Sequence, residues 1–380
     1  MKEIHFDNND FSVSYKSEKI LLLPKEFKLL EYLFDNVNQT LSRETLLNKV
    51  WPLSDPTDRT IDDHVYRLRK KLSLWDQVSI ETVRGLGYRL IMKQKEDKYV
   101  NVLQYDKEFT ETMNRLFQKY VQYGQGTGLK TVLLNHEYLN IPFENRKEIY
   151  LHYVQGEFDW FITDSNHSIS EKMFYILHIY SLIQFDMDKT QLIFKQILKS
   201  KRLPMELQLE LEKFGIIGIE LNSGNFENAL IKINHVKSMI DEKLIDPSLL
   251  VYVMNQELKL NLYRKDSIQF RKNSQHAEML FEKYPFLREK GTFYILKGLN
   301  ELYMNNSKEG ILSIDKGLEV LSNSKYIPNE MAGVKDTLVI GNCLDIKIPE
   351  KYKKKWLYFS TKYNFPFLTV SLEKIINQHL

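Results

Sequence analysis

The chain holds a single cysteine, Cys343, in 380 residues. One thiol excludes an intrachain disulfide and a cysteine-cluster metal site, and it fits a reducing compartment. No run of about 18 apolar residues occurs, so no segment reads as a membrane-spanning helix. The start, M-K-E-I-H-F-D-N-N-D, lacks the apolar core of a signal peptide. These absences lead to the expectation of a cytoplasmic protein with no membrane partner. The nine histidines form no H-x-x-x-H pair, and Cys343 has no arranged base near it in sequence. No metal, cofactor or catalytic activity is expected. A charge of one sign is missing as well. Residues 1–95 hold 16 Lys/Arg against 14 Asp/Glu, and the remainder 37 against 36, for a net +3. Bulk charge therefore points to no partner, and a nucleic-acid reading must rest on a local patch.

What is present is a chain long enough for two or three domains with cores of their own, at 43% hydrophobic and 27% charged residues. Its most informative stretch runs from Asp58 to Leu90. The segment D-R-T-I-D-D-H-V-Y-R-L-R-K-K-L places Ile61, Val65, Leu68 and Leu72 on one helical stripe. Arg59, Asp63, Tyr66, Arg67 and Lys70 fall on the opposite side, with Arg69 on the flank. Arg59–Leu72 carries five Lys/Arg and two Asp, a local +3. A helix that packs on one side and offers cations and hydrogen-bonding groups on the other suits a DNA major groove. It equally describes a solvated amphipathic face, so the neighbouring sequence must decide.

Lys2–Phe6, Phe11–Tyr15 and Lys19–Leu23 read as short strands between N-N-D and K-S-E turns. Pro24 suits the first turn of a helix through Phe27, Leu30, Leu33 and Phe34. Ser42 is placed to cap a second helix carrying Leu46, Leu47, Val50 and Trp51. The breaker-rich P-L-S-D-P-T-D leads into the basic helix, for which Thr60 with Asp63 makes a capping box. Ser79–Val83, a Gly85-Leu86-Gly87 turn and Tyr88–Met92 form a terminal hairpin. Small strands, three helices and a hairpin make an α+β winged helix.

The blocks L-P-K-E-F-K-L-L, L-S-R-E-T-L-L-N-K-V-W, D-R-T-I-D-D-H-V-Y-R-L-R-K-K-L and T-V-R-G-L-G-Y-R-L resemble the OmpR/PhoB-type winged-helix DNA-binding domain over about residues 1–92. The resemblance implies that the basic helix reads the major groove of double-stranded DNA. It makes the hairpin a wing, with Arg84 at its tip reaching the adjacent minor groove. Trp51, Arg59, Thr60, Arg69, Thr82 and Tyr88 match positions that grip phosphates or shape the DNA-facing surface. The loop Pro52–Asp58 matches the segment that faces RNA polymerase in the family. Structural roles compete at several positions: core packing for Trp51 and Tyr88, a place beside the apolar stripe for His64, a cap for Asp63. Arg67, Lys70 and Arg84 have weak structural alternatives. Two departures stand out. Tyr66-Arg67 replaces the Arg-Arg of many members, which leaves the preferred base sequence open, and Leu23 sits where a capping Ser or Thr is usual.

After a charged junction at Lys93–Lys98, residues 96–380 read as helical throughout, with apolar periods of three to four. I-I-G-I-E-L-N-S-G-N-F-E-N-A-L-I-K-I (216–233) has the form helix, tight turn, helix. I-L-K-G-L-N-E-L-Y-M-N-N-S-K-E-G-I-L-S-I-D-K-G-L (295–318) repeats it, with small residues at Gly298, Gly310 and Gly317. Ala229 and Gly310 lie 81 residues apart, two periods of about 40. Residues 261–270 and 174–198 fit intervening units. The pattern resembles degenerate tetratricopeptide repeats without the signature aromatic and closing proline; another helical bundle remains the alternative. Stacked repeats form concave grooves for peptides or protein segments, and Asn222, Tyr252, Asn255 and Asn300 are candidates to hold such a ligand. Y-G-Q-G-T-G-L-K-T (123–131) imitates a phosphate loop, but Leu129 spoils the spacing and no strand precedes it.

The whole resembles SARP-type regulators in architecture and the peptide-sensing repeat regulators of Gram-positive bacteria in logic. That implies a transcriptional regulator, an activator, whose helical part (96–380) binds a peptide or protein and sets the DNA-binding state of residues 1–95. A homodimer is expected, because the family binds repeated half-sites. The family's usual receiver domain does not precede the winged helix here, so control is expected from the C-terminal side. The competing reading is an adaptor whose winged helix docks on a protein.

Overall fold

Short alternating strands at the N-terminus pair into an antiparallel meander: β1 (Ile4–Asp7), β2 (Ser12–Tyr15) and β3 (Glu18–Leu21), in that spatial order. Val13 on β2 lies opposite Ile20 on β3, and both are buried. The computed structural model describes residues 4–15, 18–52, 58–73, 75, 78–83, 86–92, 103, 106–136, 139, 141 and 144–380. The chain divides into two compact units, Met1–Asn101 and Val102–Leu380, each with cores of its own.

In the first unit α1 (Pro24–Asp35) opens with proline at its first position. Leu23 offers no side-chain cap, and the Glu26 carboxylate accepts from the Leu23 amide instead, at 3.0 Å. Ser42 caps α2 (Arg43–Val50) as its sequence position requires, its hydroxyl accepting from the Thr45 amide at 3.0 Å. The basic helix is α3 (Asp58–Leu72). It starts two residues before the expected cap, so Thr60 lies inside the first turn and the Thr60–Asp63 capping box does not form. The Thr60 carbonyl accepts from the His64 ring at 2.8 Å. The stripe of Ile61, Val65, Leu68 and Leu72 is 0–2% exposed against α1 and α2.

The hairpin is β5 (Val78–Val83) and β6 (Gly87–Met92), with Thr82 opposite Tyr88. A two-residue strand that the pattern did not announce, β4 (Leu41–Ser42), pairs with the start of β6. The approach there is close: a Cβ on Gly87 would sit 2.0 Å from the Leu41 carbonyl oxygen, and the residue's φ is +154°. Only glycine fits.

Among the described residues the second unit contains no strand. It runs α4 (Lys107–Tyr123), α5 (Gly126–Leu134), α6 (Asn145–Gln155), α7 (Trp160–Thr163), α8 (Ile169–Ile183), α9 (Met187–Ser200) and α10 (Met205–Glu210). A π-helical turn (Leu211–Gly215) joins α10 to α11 (Ile216–Asn222). Then come α12 (Phe226–Asp241), α13 (Leu250–Tyr263), α14 (Ser267–Lys283), α15 (Leu287–Tyr303), α16 (Ser307–Ser324), α17 (Ile327–Cys343), α18 (Glu350–Lys362) and α19 (Phe365–His379). From α8 onward the helices come as pairs joined by short turns. The leading helices α13, α15 and α17 start at 250, 287 and 327, which are steps of 37 and 40 residues.

The turns at 223–225, 264–266 and 304–306 fall inside the segments read as repeat centres. The glycines of α15 and α16 form two facing pairs. A Cβ on Gly298 would lie 2.5 Å from the Gly310 carbonyl oxygen, and one on Gly317 2.6 Å from that of Gly291. Both members of each pair are seven residues from the next on their helix, so the backbones touch every two turns. The imitation phosphate loop spans a helix end and a helix start. Gly124 stops α4 at φ +68°, and a Cβ on Gly126 would sit 2.6 Å from the Ser324 carbonyl.

Candidate nucleic-acid interface

Helix α3 has no freedom to roll, because one face is sealed in the core. The opposite face is thereby fixed toward solvent, and Arg59, Asp63, Tyr66, Arg67 and Lys70 are all exposed on it, Tyr66 at 69%. None of the five side chains has a hydrogen-bond or ion-pair partner among the described residues; the Lys70 carbonyl accepts from the Ser73 hydroxyl, at 2.7 Å. Three cations and a phenol thus stand on one side of a rigid helix, uncommitted to the fold.

A second group of candidates frames that face. Arg69 lies along the hairpin, its Nε donating to the Ile80 carbonyl at 2.8 Å and its Nη2 to the Thr82 hydroxyl at 2.8 Å. Tyr88 is 4% exposed and its hydroxyl donates to Asp62 at 2.6 Å. The Asp62 carboxylate also accepts from Arg43 Nε at 2.9 Å, and the Arg43 guanidinium stacks 4.9 Å from the Tyr88 ring. The Tyr88 hydroxyl and the Arg43 guanidinium together hold the Asp62 carboxyl below its ordinary range, against the opposing pull of desolvation. One carboxylate therefore ties α3, α2 and the wing strand β6 together. Trp51, at 8% exposure, packs edge-on against His64 with ring centres 4.9 Å apart. Lys25 lies over its ring at 5.6 Å while donating to the Val50 carbonyl.

Thr60, His64, Trp51, Arg69, Thr82 and Tyr88 thus set the shape and rigidity of the face, and Arg59, Asp63, Tyr66, Arg67 and Lys70 present its chemistry. Arg84 lies outside the described residues, as do residues 53–57 of the Pro52–Asp58 loop. Arg43, Asp62 and Lys25 escaped the sequence reading. Their partners are 19 to 45 residues away in the chain, with no local pattern to mark them.

Three of the four candidates of the helical unit, Asn222, Tyr252 and Asn255, are held by internal side-chain hydrogen bonds. Asn222 accepts from the Tyr263 hydroxyl at 2.8 Å, and Tyr252 donates to the Phe214 carbonyl at 2.8 Å. Asn255, one turn beyond Tyr252 on α13, donates to the Glu289 carbonyl at 2.8 Å. The side-chain oxygens of Asn255 and Asn300 are buried without a hydrogen-bond partner. Asn300 shares no partner with the other three. No group of three or more His, Cys, Asp or Glu suited to a metal ion occurs among the described residues, and no helix there is long and apolar enough to cross a membrane.

The family model described as transcriptional regulatory protein, C terminal, matches residues 17–90. An uncharacterized transcriptional regulatory protein YclJ of Bacillus subtilis is 43% identical over 88 residues, 21% of this chain and 39% of that protein. Transcriptional regulatory protein SrrA of Staphylococcus aureus is 37% identical over 100 residues, 25% of this chain and 42% of its own length. The chain spans about four tenths of the curated relatives it matches. Among solved structures, the DNA-binding domain of response regulator AdeR, in complex with an intercistronic region, is 36% identical, covering 24% of this chain and 96% of that one at a TM-score of 0.22. The DNA-binding domain of Bacillus subtilis CssR is 35% identical over 23% of this chain and 99% of that one, at 0.21. The matched relatives are transcriptional regulators, and the stretch matched by the family model lies within the N-terminal unit. The N-terminal unit is thus similar to the DNA-binding domains of transcriptional regulators.

Proposed function

We propose that the chain is a cytoplasmic, sequence-specific transcriptional activator that binds duplex DNA as a homodimer and takes a peptide or protein signal on its helical unit. The observation that carries the DNA-reading part is α3. Its apolar stripe is sealed, and Arg59, Tyr66, Arg67 and Lys70 are exposed and uncommitted on the other side. Arg67, at the middle of the helix, is assigned to a base edge, Arg59 and Lys70 to phosphates, and Arg84 to the minor groove beside the wing. Tyr66 supplies an aromatic contact where many relatives of this type carry arginine. The Pro52–Asp58 loop is assigned to RNA polymerase.

The tetratricopeptide-like reading of the helical unit is supported by its succession of short-turn helix pairs at steps near 40 residues. Each such pair buries its apolar face only against neighbours, which leaves a surface along the stack for a ligand. Asn222, Tyr252, Asn255 and Asn300 remain proposed contacts there, the unpartnered oxygens of Asn255 and Asn300 being the most suited to accept from a peptide amide.

The test uses the full chain and duplexes selected from a random-sequence pool. Affinity should fall steeply as salt rises, by counterion release. Arg67→Ala should cut discrimination between the selected and a scrambled duplex by about 1–3 kcal/mol. Lys70→Ala should weaken both duplexes alike and lower the salt slope by about one. Failure to select any duplex, with the fold intact, would overturn the DNA reading in favour of a protein-docking winged helix.

A further inference from the structure

The connection from α17 to α18 folds back on the helix it leaves. Asp345 takes a φ of +58°, and the Ile346 amide donates to the Gly341 carbonyl at 2.9 Å. A Cβ on Gly341 would overlap the Ile348 side chain, so only glycine lets the connection pack this closely. Phe185, in the turn from α8 to α9, is held as firmly. The Gln184 side-chain oxygen accepts from the Phe185 and Asp186 amides at 2.8 and 3.1 Å. The Phe185 ring stands edge-on to Trp356 with centres 5.4 Å apart, and the Lys335 ammonium lies 5.2 Å from it. Phe185 is nonetheless 46% exposed.

These two features border one cavity of about 910 Å³. Phe185 and Met187 line it from the α8–α9 side, Leu338 and Val339 from α17, and Ile346 and Ile348 from the connection. The volume lies within the roughly 300–1,000 Å³ of pockets that bury a small ligand. Its walls are fixed by contacts made within the fold, so the space is formed before any ligand enters. Polar lining is sparse and consists of Asn342, Lys347, Glu350 and Lys353.

The charged groups leave one cation over. Two lysines, Lys347 and Lys353, stand against one carboxylate, Glu350, for a net +1. Glu350 lies 3.4 Å from Lys353. Lys347 and the Asn342 side-chain amide have no partner among the described residues. An anionic group at the rim is therefore the electrostatic complement. The apolar walls decide what that group is attached to. A peptide would bring backbone N–H and C=O groups that these walls leave unpaired, each at a cost. A hydrocarbon chain brings none. The matching ligand has an apolar chain for a body and a single anionic oxygen group at its end.

We propose that this cavity binds a fatty-acyl carboxylate, with its chain against Phe185, Leu338, Val339 and Ile348 and its carboxylate at Lys347 and Asn342. The helical unit thereby holds a ligand site apart from the proposed peptide contacts Asn222, Tyr252, Asn255 and Asn300, none of which borders the cavity.

The test titrates the full chain by calorimetry with octanoate, decanoate, dodecanoate and longer saturated carboxylates, each below its micelle concentration. Affinity should rise about fourfold per added CH₂ and level off once the chain fills the cavity. Decanoate should bind about two- to fivefold more tightly than decanol, the gain of a carboxylate beside an exposed lysine. Lys347→Met, at an exposed position, should erase that preference. Val339→Trp, which fills the cavity, should abolish binding, and where it melts early Lys347→Met decides the matter. Absence of saturable binding overturns the proposal. So does an affinity that climbs without levelling off, or equal binding of decanoate and decanol. Binding of short apolar peptides at this cavity without binding of decanoate also overturns it, and assigns the cavity to the peptide reading instead. Failure of every peptide to bind, with decanoate bound, overturns the peptide reading and supports the acyl site.

Discussion

At the scale of single residues, the winged-helix unit depends on two carboxylates, and their environments differ. Glu26 is 1% exposed and accepts from the Leu23 amide and from Lys71 Nζ at 2.7 Å. Burial raises its carboxyl pKa, but the amide and the ammonium outweigh burial and hold it below the ordinary glutamate range. A depressed folded-state pKa means that the stabilisation is present above the unfolded value and is lost as pH falls through the folded one. Glu26 should therefore support the unit fully at neutral pH and cease to do so only below about pH 4.5, where acid protonates it. Glu26→Gln should remove that part of the acid sensitivity and cost about 1–3 kcal/mol at pH 7, because Lys71 and the Leu23 amide lose a charged acceptor. Urea titrations at pH 7 and pH 3.5 check it, and an unchanged difference between the two would refute the assignment.

Asp62 is more exposed, so its pair with Arg43 contributes little by itself. Its larger effect is on the buried Tyr88 hydroxyl. Asp62→Ala should cost about 1 kcal/mol and loosen the wing, whereas removing the surface pair Lys19–Asp10 should leave stability within experimental error. Hydrogen exchange at β6 amides distinguishes the two. Neither carboxylate could be singled out from sequence, since Asp62 is one of two adjacent aspartates and its partner Tyr88 lies 26 residues on.

At the scale of elements, the periodicity of α3 was legible because a core-facing stripe repeats every three to four residues whatever it packs on. Its first residue was not, since capping is decided by the backbone path of the preceding loop. The pair α15 and α16 makes a sharper test of packing. Gly298→Ala would drive a methyl to 2.5 Å from the Gly310 carbonyl oxygen. Backbone must shift, and a loss of about 1–3 kcal/mol is expected. Gly218 on α11 is the control, since a Cβ there meets only Gln256 Oε1 at 4.0 Å. Gly218→Ala should raise stability by up to about 1 kcal/mol through helix propensity. Melting temperatures of the two variants of the full chain should move in opposite directions.

At the scale of the whole molecule, the two units have cores built from disjoint sets of residues, Val13 to Leu90 in one and residues from Leu129 onward in the other. Unfolding should then proceed in more than one step. Leu68→Ala, at a fully buried position of α3, should lower the transition of the small unit by about 2–5 kcal/mol. The transition of the large unit, followed by far-ultraviolet circular dichroism because it is almost wholly helical, should stay where it is. A single transition shifted as a whole would show that the units do not unfold separately.

The sequence by itself determined the local order. It set the strands and helices of the winged-helix unit, the exposed basic face of α3, the turns of the helical unit and the glycines of α15 and α16. Each of these follows from periodicity, turn chemistry or steric demand within a few residues of chain. The tertiary structure alone decided which polar groups are already committed. It assigned Arg69 and Tyr88 to holding the wing and left Arg67 and Lys70 free. It brought Arg43 to Asp62. The physical reason is the same in each case. A hydrogen bond or a desolvated charge depends on atoms tens or hundreds of residues apart in sequence, and only folding brings them within about 3 Å.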